Sequence, residues 1–157
     1  MANTYSKILL HFIVIVKYRR KLISEAIKKE LEPYICEIVK SEKCLVYAIY
    51  CNPDHVHILI RMSPDKSPSE VMRKVKTESS RFINKRINPD IKFVWQIGYS
   101  TFSLREEGKD VVIRYILNQK EHHRKKDLEI EVKEMMKEND VEYEEKYLFD
   151  REENLNE

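Results

Sequence analysis

Two histidines separated by one residue, His55 and His57, form the most chemically suggestive pair in the sequence. They follow an Asn-Pro-Asp turn signal and open a segment, 55–61, that reads as a strand. Because alternate side chains of a strand share a face, we expect both imidazoles on one solvent-facing side and the intervening apolar residues on the other. Two imidazoles on a rigid element supply half of a metal site, although an exposed sheet face that merely tolerates histidine fits the same pattern.

A second group lies on a predicted helix, 111–126, where Tyr115 and Gln119 are one turn apart and His122 and His123 continue the stripe. A tyrosine hydroxyl has a pKa of about 10, so as a nucleophile it needs an activated electrophile. A divalent cation bound to a phosphodiester provides such activation. Two imidazoles and an amide oxygen suit Mg²⁺ or Mn²⁺ rather than a closed structural zinc site. Taken alone, Tyr115 and Gln119 are equally compatible with a packing role.

The elements that must position these groups follow from hydrophobic periodicity and turn residues. The sequence predicts strands at 8–16, 43–51, 55–61 and 91–104, the last bent or doubled around Gly98. It predicts helices at 22–39, with a bend or a restart at Pro33, at 67–86 and at 111–126. The first six elements match an α+β, ferredoxin-like split βαβ plan with a four-stranded antiparallel sheet. Its two helices would cover one face and leave the other open for a ligand, and the last helix, carrying the tyrosine, would be an addition.

Charge is distributed unevenly along the chain. Residues 127–157 hold 13 acidic and 4 basic residues, a net −9, which leaves a net +11 for residues 1–126. A basic domain indicates a polyanionic partner, and the acidic segment is then either a solvated helix or a competitor for the same surface. The candidate phosphate contacts are Lys17, Arg19 and Arg20 after the first strand and Arg73, Lys74, Lys76 and Arg81 on the second helix.

Composition also excludes several classes of protein. The chain of 157 residues has only two glycines, so it has neither a glycine-rich dinucleotide loop nor a P-loop. Three cysteines without a C-x-x-C pair indicate reduced thiols, and the apolar run 8–16 is too short to span a bilayer. We therefore expect one soluble, cytoplasmic domain without membrane association.

Further motifs accompany these residues in a fixed order. They are His11 with Lys17-Tyr18-Arg19-Arg20, Pro53-Asp54-His55-Val56-His57, Ser79-Ser80, Trp95-Gln96-Ile97-Gly98-Tyr99, and Tyr115-Ile116-Leu117-Asn118-Gln119 with His122-His123-Arg124. In this combination, over about residues 5–126, the sequence resembles the single-tyrosine HUH transposases of small insertion sequences, which move as single-stranded DNA.

The resemblance implies a ferredoxin-like fold, a homodimer and single-stranded DNA with hairpin ends as partner. It also implies that Tyr115 attacks a phosphodiester to give a 5′-phosphotyrosine, and that His55, His57 and Gln119 hold Mg²⁺ or Mn²⁺. In related enzymes the tyrosine helix can complete the partner subunit's site. The catalytic domain would be residues 1–126, with residues 127–157 an acidic helix or tail outside the resemblance.

Two alternatives remain open. One is a ferredoxin-like module that binds RNA or single strands without catalysis and uses its histidines and aromatic residues for stacking. The other keeps the chemistry but makes the protein a nickase or a domesticated relative that acts on chromosomal repeats.

Overall fold

Four strands form a single antiparallel sheet in the computed structural model, which describes residues 3–151. The strands are β1 (Ile8–Ile15), β2 (Leu45–Cys51), β3 (His55–Met62) and β4 (Ser100–Leu104). Their order is β2-β3-β1-β4, and every neighbouring pair is antiparallel. This is the order of the split βαβ plan, so the predicted ferredoxin-like fold is confirmed.

Within residues 3–151, six helices accompany the sheet. They are α1 (Glu25–Ser41), α2 (Pro68–Asn84), α3 (Lys109–Leu117), α4 (Gln119–His122), α5 (Leu128–Glu138) and α6 (Glu145–Leu148), and single 3₁₀ turns occur at Lys17–Arg19 and Glu106–Gly108. None of the helices in residues 3–151 is long and apolar enough to cross a lipid bilayer.

Helix α1 differs from its prediction at both its start and its middle. It begins at Glu25 because the Ser24 hydroxyl caps it by accepting from the Ile27 N–H at 3.2 Å. It also continues through Pro33 rather than restarting there. Buried residues on both sides of the proline, such as Leu31 and Ile35, hold the two halves against one core, which offsets the lost backbone hydrogen bond.

The fourth strand is shorter than predicted, because only Ser100–Leu104 pairs with β1. Upstream of it, Trp95 makes one isolated bridge to Val16, and Gly98 adopts a φ of +83°, which ends extended pairing. The carbonyls of Gln96 and Gly98 accept from the Lys76 ammonium instead of from a strand. In the first half of the predicted strand, backbone pairing with other described residues is limited to the bonds around Trp95, in which the Lys17 N–H donates to the Val94 carbonyl and the Gln96 N–H to the Ile15 carbonyl.

The second face of the sheet is not open, which contradicts the prediction. Helix α5 packs its apolar residues against strand residues of that face, and the cluster contains Ile13, Ile15, Phe102, Leu128, Val132 and Met136. Ile116 of α3 packs beside it, against Ala48 and Leu59. Strand residues that alternate with the core must be covered when they are apolar, and the acidic segment supplies that cover.

Candidate active site

The predicted histidine pair lies at the start of β3, beneath α5. His55 and His57 are 1% and 0% exposed. They share a face of the strand, as predicted, but the expectation that they face solvent is wrong because α5 and the residues before it cover them. A buried imidazole requires polar partners, and each of the two has them.

The Nδ1 atoms of the two histidines are held by neighbouring side chains. His55 Nδ1 lies 2.6 Å from Asp54 Oδ1, so the Nδ1–H donates a hydrogen bond to the carboxylate. His57 Nδ1 lies 2.8 Å from His11 Nε2, on the adjacent strand β1. With Nδ1 protonated in both rings, each neutral imidazole presents an unprotonated Nε2 to the same enclosed space, which is the form that binds metals. Burial lowers the pKa of His57 to about 4 and that of His11 to about 3, which favours these neutral forms.

Gln119 is brought next to the pair by a break in the predicted helix 111–126. The helix ends at Leu117, and Asn118, a residue type of weak helix propensity, adopts φ −103° and ψ 25° before α4 begins. Gln119 is fully buried, and its Oε1 accepts from Asn52 Nδ2 at 3.3 Å. The same oxygen lies 2.9 Å from His123 Nε2. The amide oxygen therefore adjoins the space that the histidines line.

Tyr115 lies one turn before Gln119 in the same chain as the histidines. Its ring centroid is 5.7 Å from that of His57, and its hydroxyl lies 3.4 Å from His122 Nε2. Burial, and next the charge of Glu131, raise the pKa of the Tyr115 phenol above its ordinary value. The free hydroxyl is thus a neutral group that needs a proton acceptor before it can attack.

Glu131 of α5 enters the cluster, and sequence reasoning missed it. One carboxylate oxygen lies 2.7 Å from His57 Nε2, and the other lies 3.0 Å from His123 Nε2 and 3.2 Å from His122 Nε2. Burial raises the pKa of Glu131, but its close contacts with the rings of His123 and His57 hold that pKa well below the usual range. The missed signal is an acid on the apolar stripe of Leu128, Val132 and Met136.

The spacing and burial of the donor atoms in the cluster fit a divalent cation. Donor atoms of His55, His57, His123 and Glu131 all lie within 4.8 Å of one another. His57 Nε2 and both Glu131 oxygens are buried without a well-aligned hydrogen bond in residues 3–151, despite their short contact. An unprotonated nitrogen facing a carboxylate at 2.7 Å is repulsive unless a proton or a cation lies between them.

The predicted phosphate contacts after β1 lie in a tight turn beside the cluster. Tyr18 and Arg19 adopt φ values of 59° and 54°. This turn directs the Arg19 guanidinium to the carboxylates of Asp127 and Glu129, each at 3.1 Å, with Asp54 at 3.9 Å. Lys17 and Arg20 lie over the Tyr18 ring. In this arrangement the Arg19 guanidinium is already paired with carboxylates of the acidic segment.

The predicted basic face of α2 is weaker than its sequence indicates. Lys74 pairs with Glu42 at 2.9 Å, and Lys76 is half-buried, which lowers its pKa, rather than facing outward. Arg73 and Arg81 are exposed. Helix α2 packs on the face of the sheet that carries Val56, Ile58 and Ile60, so its basic residues are remote from the histidine cluster.

Known proteins resemble this chain in family and in fold. The family model described as "Transposase IS200 like" matches residues 4–119. An inferred transposase from Deinococcus radiodurans R1 has a similar structure, with a TM-score of 0.61 at 21% identity over 76% of this chain and 95% of its own. A REP-associated tyrosine transposase, solved with a REP hairpin, has a TM-score of 0.59 at 18% identity. The match covers 78% of this chain and 73% of that protein's chain. Among curated proteins none matches the sequence.

Proposed function

Because the chain belongs to the family of IS200-like transposases, we propose that it cleaves and rejoins single-stranded DNA through a 5′-phosphotyrosine at Tyr115. The observation that carries this proposal is the 5.7 Å separation of the Tyr115 and His57 rings within one chain. A tyrosine that only capped a core would not need to lie beside a buried cluster of imidazoles and a carboxylate.

The proposed reaction exchanges one phosphodiester for another. The Tyr115 oxygen attacks the phosphorus, the bond from tyrosine oxygen to phosphorus forms, and the bond from phosphorus to the 3′ oxygen breaks. The departing 3′ oxygen takes up a proton and becomes a free hydroxyl, which in the reverse reaction attacks the phosphotyrosine to join a new end. Bond energy is conserved in the phosphotyrosine, so the reaction needs no nucleotide hydrolysis, in keeping with the absence of a P-loop from the sequence.

The proton of the Tyr115 hydroxyl needs an acceptor, and His122 is the best-placed one. Its Nε2 lies 3.4 Å from the hydroxyl and 3.2 Å from a Glu131 oxygen. His122 Nε2 can accept a hydrogen bond from the Tyr115 hydroxyl only when it carries no proton, and in that form it cannot donate to Glu131. We therefore propose that His122 receives the proton in the attack and returns it in the reversal.

We propose that His55, His57 and Gln119 hold Mg²⁺ or Mn²⁺. Such an ion would withdraw charge from the non-bridging oxygens of the scissile phosphate. Asp54 and His11 would keep the two histidines in the tautomer that presents Nε2, through contacts of 2.6 Å and 2.8 Å.

The proposed substrate is single-stranded DNA with hairpin ends. Support comes from the family and from the structurally similar protein that was solved with a REP hairpin. Lys17, Arg19 and Arg20 adjoin the cluster and are the preferred phosphate contacts, whereas Arg73, Lys74, Lys76 and Arg81 would contact only DNA that wraps around to α2. We also propose a homodimer, as the resemblance implies.

The decisive experiment is incubation of the protein with hairpin-ended single-stranded DNA and Mn²⁺, followed by denaturing electrophoresis. A covalent adduct should form with the wild type and be lost in Tyr115→Phe, while DNA binding persists. Tyr147→Phe, at an exposed helical tyrosine of α6, is the matched control and should still form the adduct. DNA binding that is insensitive to EDTA, with no adduct, would support the non-catalytic binding module instead.

A mixture of two inactive variants tests whether the site is completed within one chain. Tyr115→Phe lacks the nucleophile, and His57→Ala lacks a proposed ligand, so the mixture has one intact site only if subunits exchange the tyrosine helix. The same-chain geometry predicts no recovery of adduct, and recovery would establish a composite site in a dimer. Sedimentation equilibrium of the wild type measures the oligomeric state independently.

A further inference from the structure

We propose that Glu131 is a ligand of the divalent metal, supplied by the acidic segment that follows the part of the chain matched by the family model. The match ends at residue 119, whereas Glu131 lies in the middle of α5. The proposal deepens the proposed function and rests on it through His55 and His57. It adds a carboxylate to the two histidines and the Gln119 amide oxygen, and His123 becomes an additional nitrogen donor.

The spacing of the donor atoms carries the proposal. Glu131 oxygens lie 2.7 Å from His57 Nε2 and 3.0 Å from His123 Nε2, and His123 Nε2 lies 3.2 Å from His55 Nε2. Adjacent ligands of an ion bound at about 2.1 Å lie about 3 Å apart in octahedral coordination. The spacing therefore matches neighbouring corners of one coordination shell, and for Glu131 and His57 Nε2 no well-aligned hydrogen bond among the described residues accounts for it.

The burial of Glu131 supports the same conclusion. The residue is 2% exposed, and neither oxygen makes a well-aligned hydrogen bond with another described group. A buried carboxylate is costly unless it is paired or coordinates a metal. An apolar residue at this position of α5 would pack between Leu128 and Val132 without that cost, so packing gives no reason for an acid here.

The placement of α5 also explains how the carboxylate reaches the ion. Asp127 caps the helix. Arg19, which lies on the turn that follows β1, binds both Asp127 and Glu129. Leu128 and Val132 anchor the same helix in the apolar cluster with Ile13 and Phe102. Glu131 is thus fixed between two anchors, and its side chain has little freedom to turn elsewhere.

The donor set predicts which ion is preferred. Imidazole nitrogen suits transition metals, whereas Mg²⁺ favours oxygen ligands and water. A site with three imidazoles and one carboxylate should therefore bind Mn²⁺ more tightly than Mg²⁺. Glu131 is the one anionic group among the proposed ligands, so removing its carboxylate should weaken Mn²⁺ binding most.

The test is Mn²⁺ binding to the full chain without DNA, measured by titration calorimetry and by the electron paramagnetic resonance signal of free Mn²⁺. Glu131→Gln should reduce the affinity at least roughly 10-fold, the lower end of the effect of losing groups that support metal sites. Glu134→Gln is the matched control, since this acid lies on the same helix but pairs with Lys126 at the surface. It should bind Mn²⁺ like the wild type.

Each outcome separates this proposal from the proposed function. If Glu131→Gln binds Mn²⁺ as tightly as the wild type while His57→Ala does not, Glu131 is no ligand, but the metal-dependent function stands. If the wild type binds no Mn²⁺, both fail. Should Glu131→Gln unfold, as judged by circular dichroism in EDTA, Glu131→Asp decides: the carboxylate withdrawn by one methylene should weaken Mn²⁺ binding, and unchanged affinity would overturn the proposal.

Discussion

One face of the sheet packs mainly apolar side chains against α1 and α2. On the other face, histidines of the sheet are enclosed by α3, α4 and α5, and these helices add a buried glutamine and a buried glutamate. Strand β3 contributes to both, with Val56 and Ile58 on the first face and His55 and His57 on the second. The same backbone thus carries a stabilising surface and a chemical one. Two-residue alternation is what keeps them apart.

The two faces differ in what their residues do for the fold. Apolar burial contributes free energy of folding wherever it occurs, whereas enclosed polar groups contribute only when every partner is in place. The first face should therefore determine stability, and the second should trade stability for a site. Variants that act on one face at a time measure this division.

The largest expected effect on stability comes from Phe12→Ala on the apolar face. Phe12 is fully buried, so the change should lower the free energy of unfolding by about 3–5 kcal/mol. Mn²⁺ affinity of the folded fraction should be unchanged, because the side chain lies on the opposite side of the sheet from the cluster. Urea denaturation and calorimetry measure the two quantities. A loss below about 1 kcal/mol would show that this face is not the main source of stability.

On the polar face, His57→Leu should destabilise the metal-free protein by about 1–3 kcal/mol, because Glu131 and His11 each lose a buried partner. The double variant His57→Leu/Glu131→Leu should recover the part of the loss that comes from Glu131, since well-packed apolar residues often replace a buried polar pair without cost, whereas His11 still lacks the His57 ring. Denaturation in EDTA measures both. A double variant less stable than either single variant would mean that the polar cluster holds the fold together.

Lowering the pH from about 6.5 to about 5.5 should destabilise the metal-free protein by an amount on the order of 2 kcal/mol. Burial lowers the pKa of His57 to about 4 and of His11 to about 3, so in this window the unfolded chain binds protons that the folded chain does not. Stability therefore falls as the pH falls. His123 adds little slope here, because its raised pKa stabilises the fold throughout this range, and Glu131, whose pKa is lowered, loses its contribution only at more acidic pH. The slope should shrink in the double leucine variant.

The smallest effect is expected for Arg19→Gln at the edge of the polar face. The guanidinium pairs with Asp127 and Glu129 at the protein surface, so its loss should cost less than about 1 kcal/mol and less still at high salt. Thermal denaturation at two salt concentrations measures this. A cost above about 2 kcal/mol would indicate that the turn, rather than the apolar residues of α5, holds that helix on the sheet.

Much of the fold could be predicted because its signals are local. The alternation in β3 and the helical spacing in α1 and α2 each involve residues only a few positions apart in the chain. The seven-element order then selected the ferredoxin-like plan. The expected restart at Pro33 does not occur, and the strand before Ser100 is shorter than predicted, because tertiary contacts outweighed the local pattern there.

The site could be predicted only in part. His55, His57, Tyr115 and Gln119 carry recognisable spacing, and the structure brings them into one region, but their roles remain predictions. Glu131 could not be found in the same way, because its importance depends on α5 folding back over β1 and β3. Nothing local to residues 127–138 says that an acidic helix will lie on the face that the histidines occupy, and only the acid within an apolar stripe hinted at it.

Gln96 makes a pair of contacts at the far end of that same segment. Its side-chain nitrogen donates to the Leu148 carbonyl at 2.8 Å, and its side-chain oxygen accepts from the Asp150 N–H at 3.1 Å. The side-chain amide thus bonds to the backbone as a neighbouring strand would, and it holds the end of α6 and the chain after it against the loop before β4. A shortened chain that stops at Lys126 would lack this fastening and would leave Ile13, Ile15 and Phe102 bare, so we expect it to precipitate rather than to behave as a free-standing nuclease.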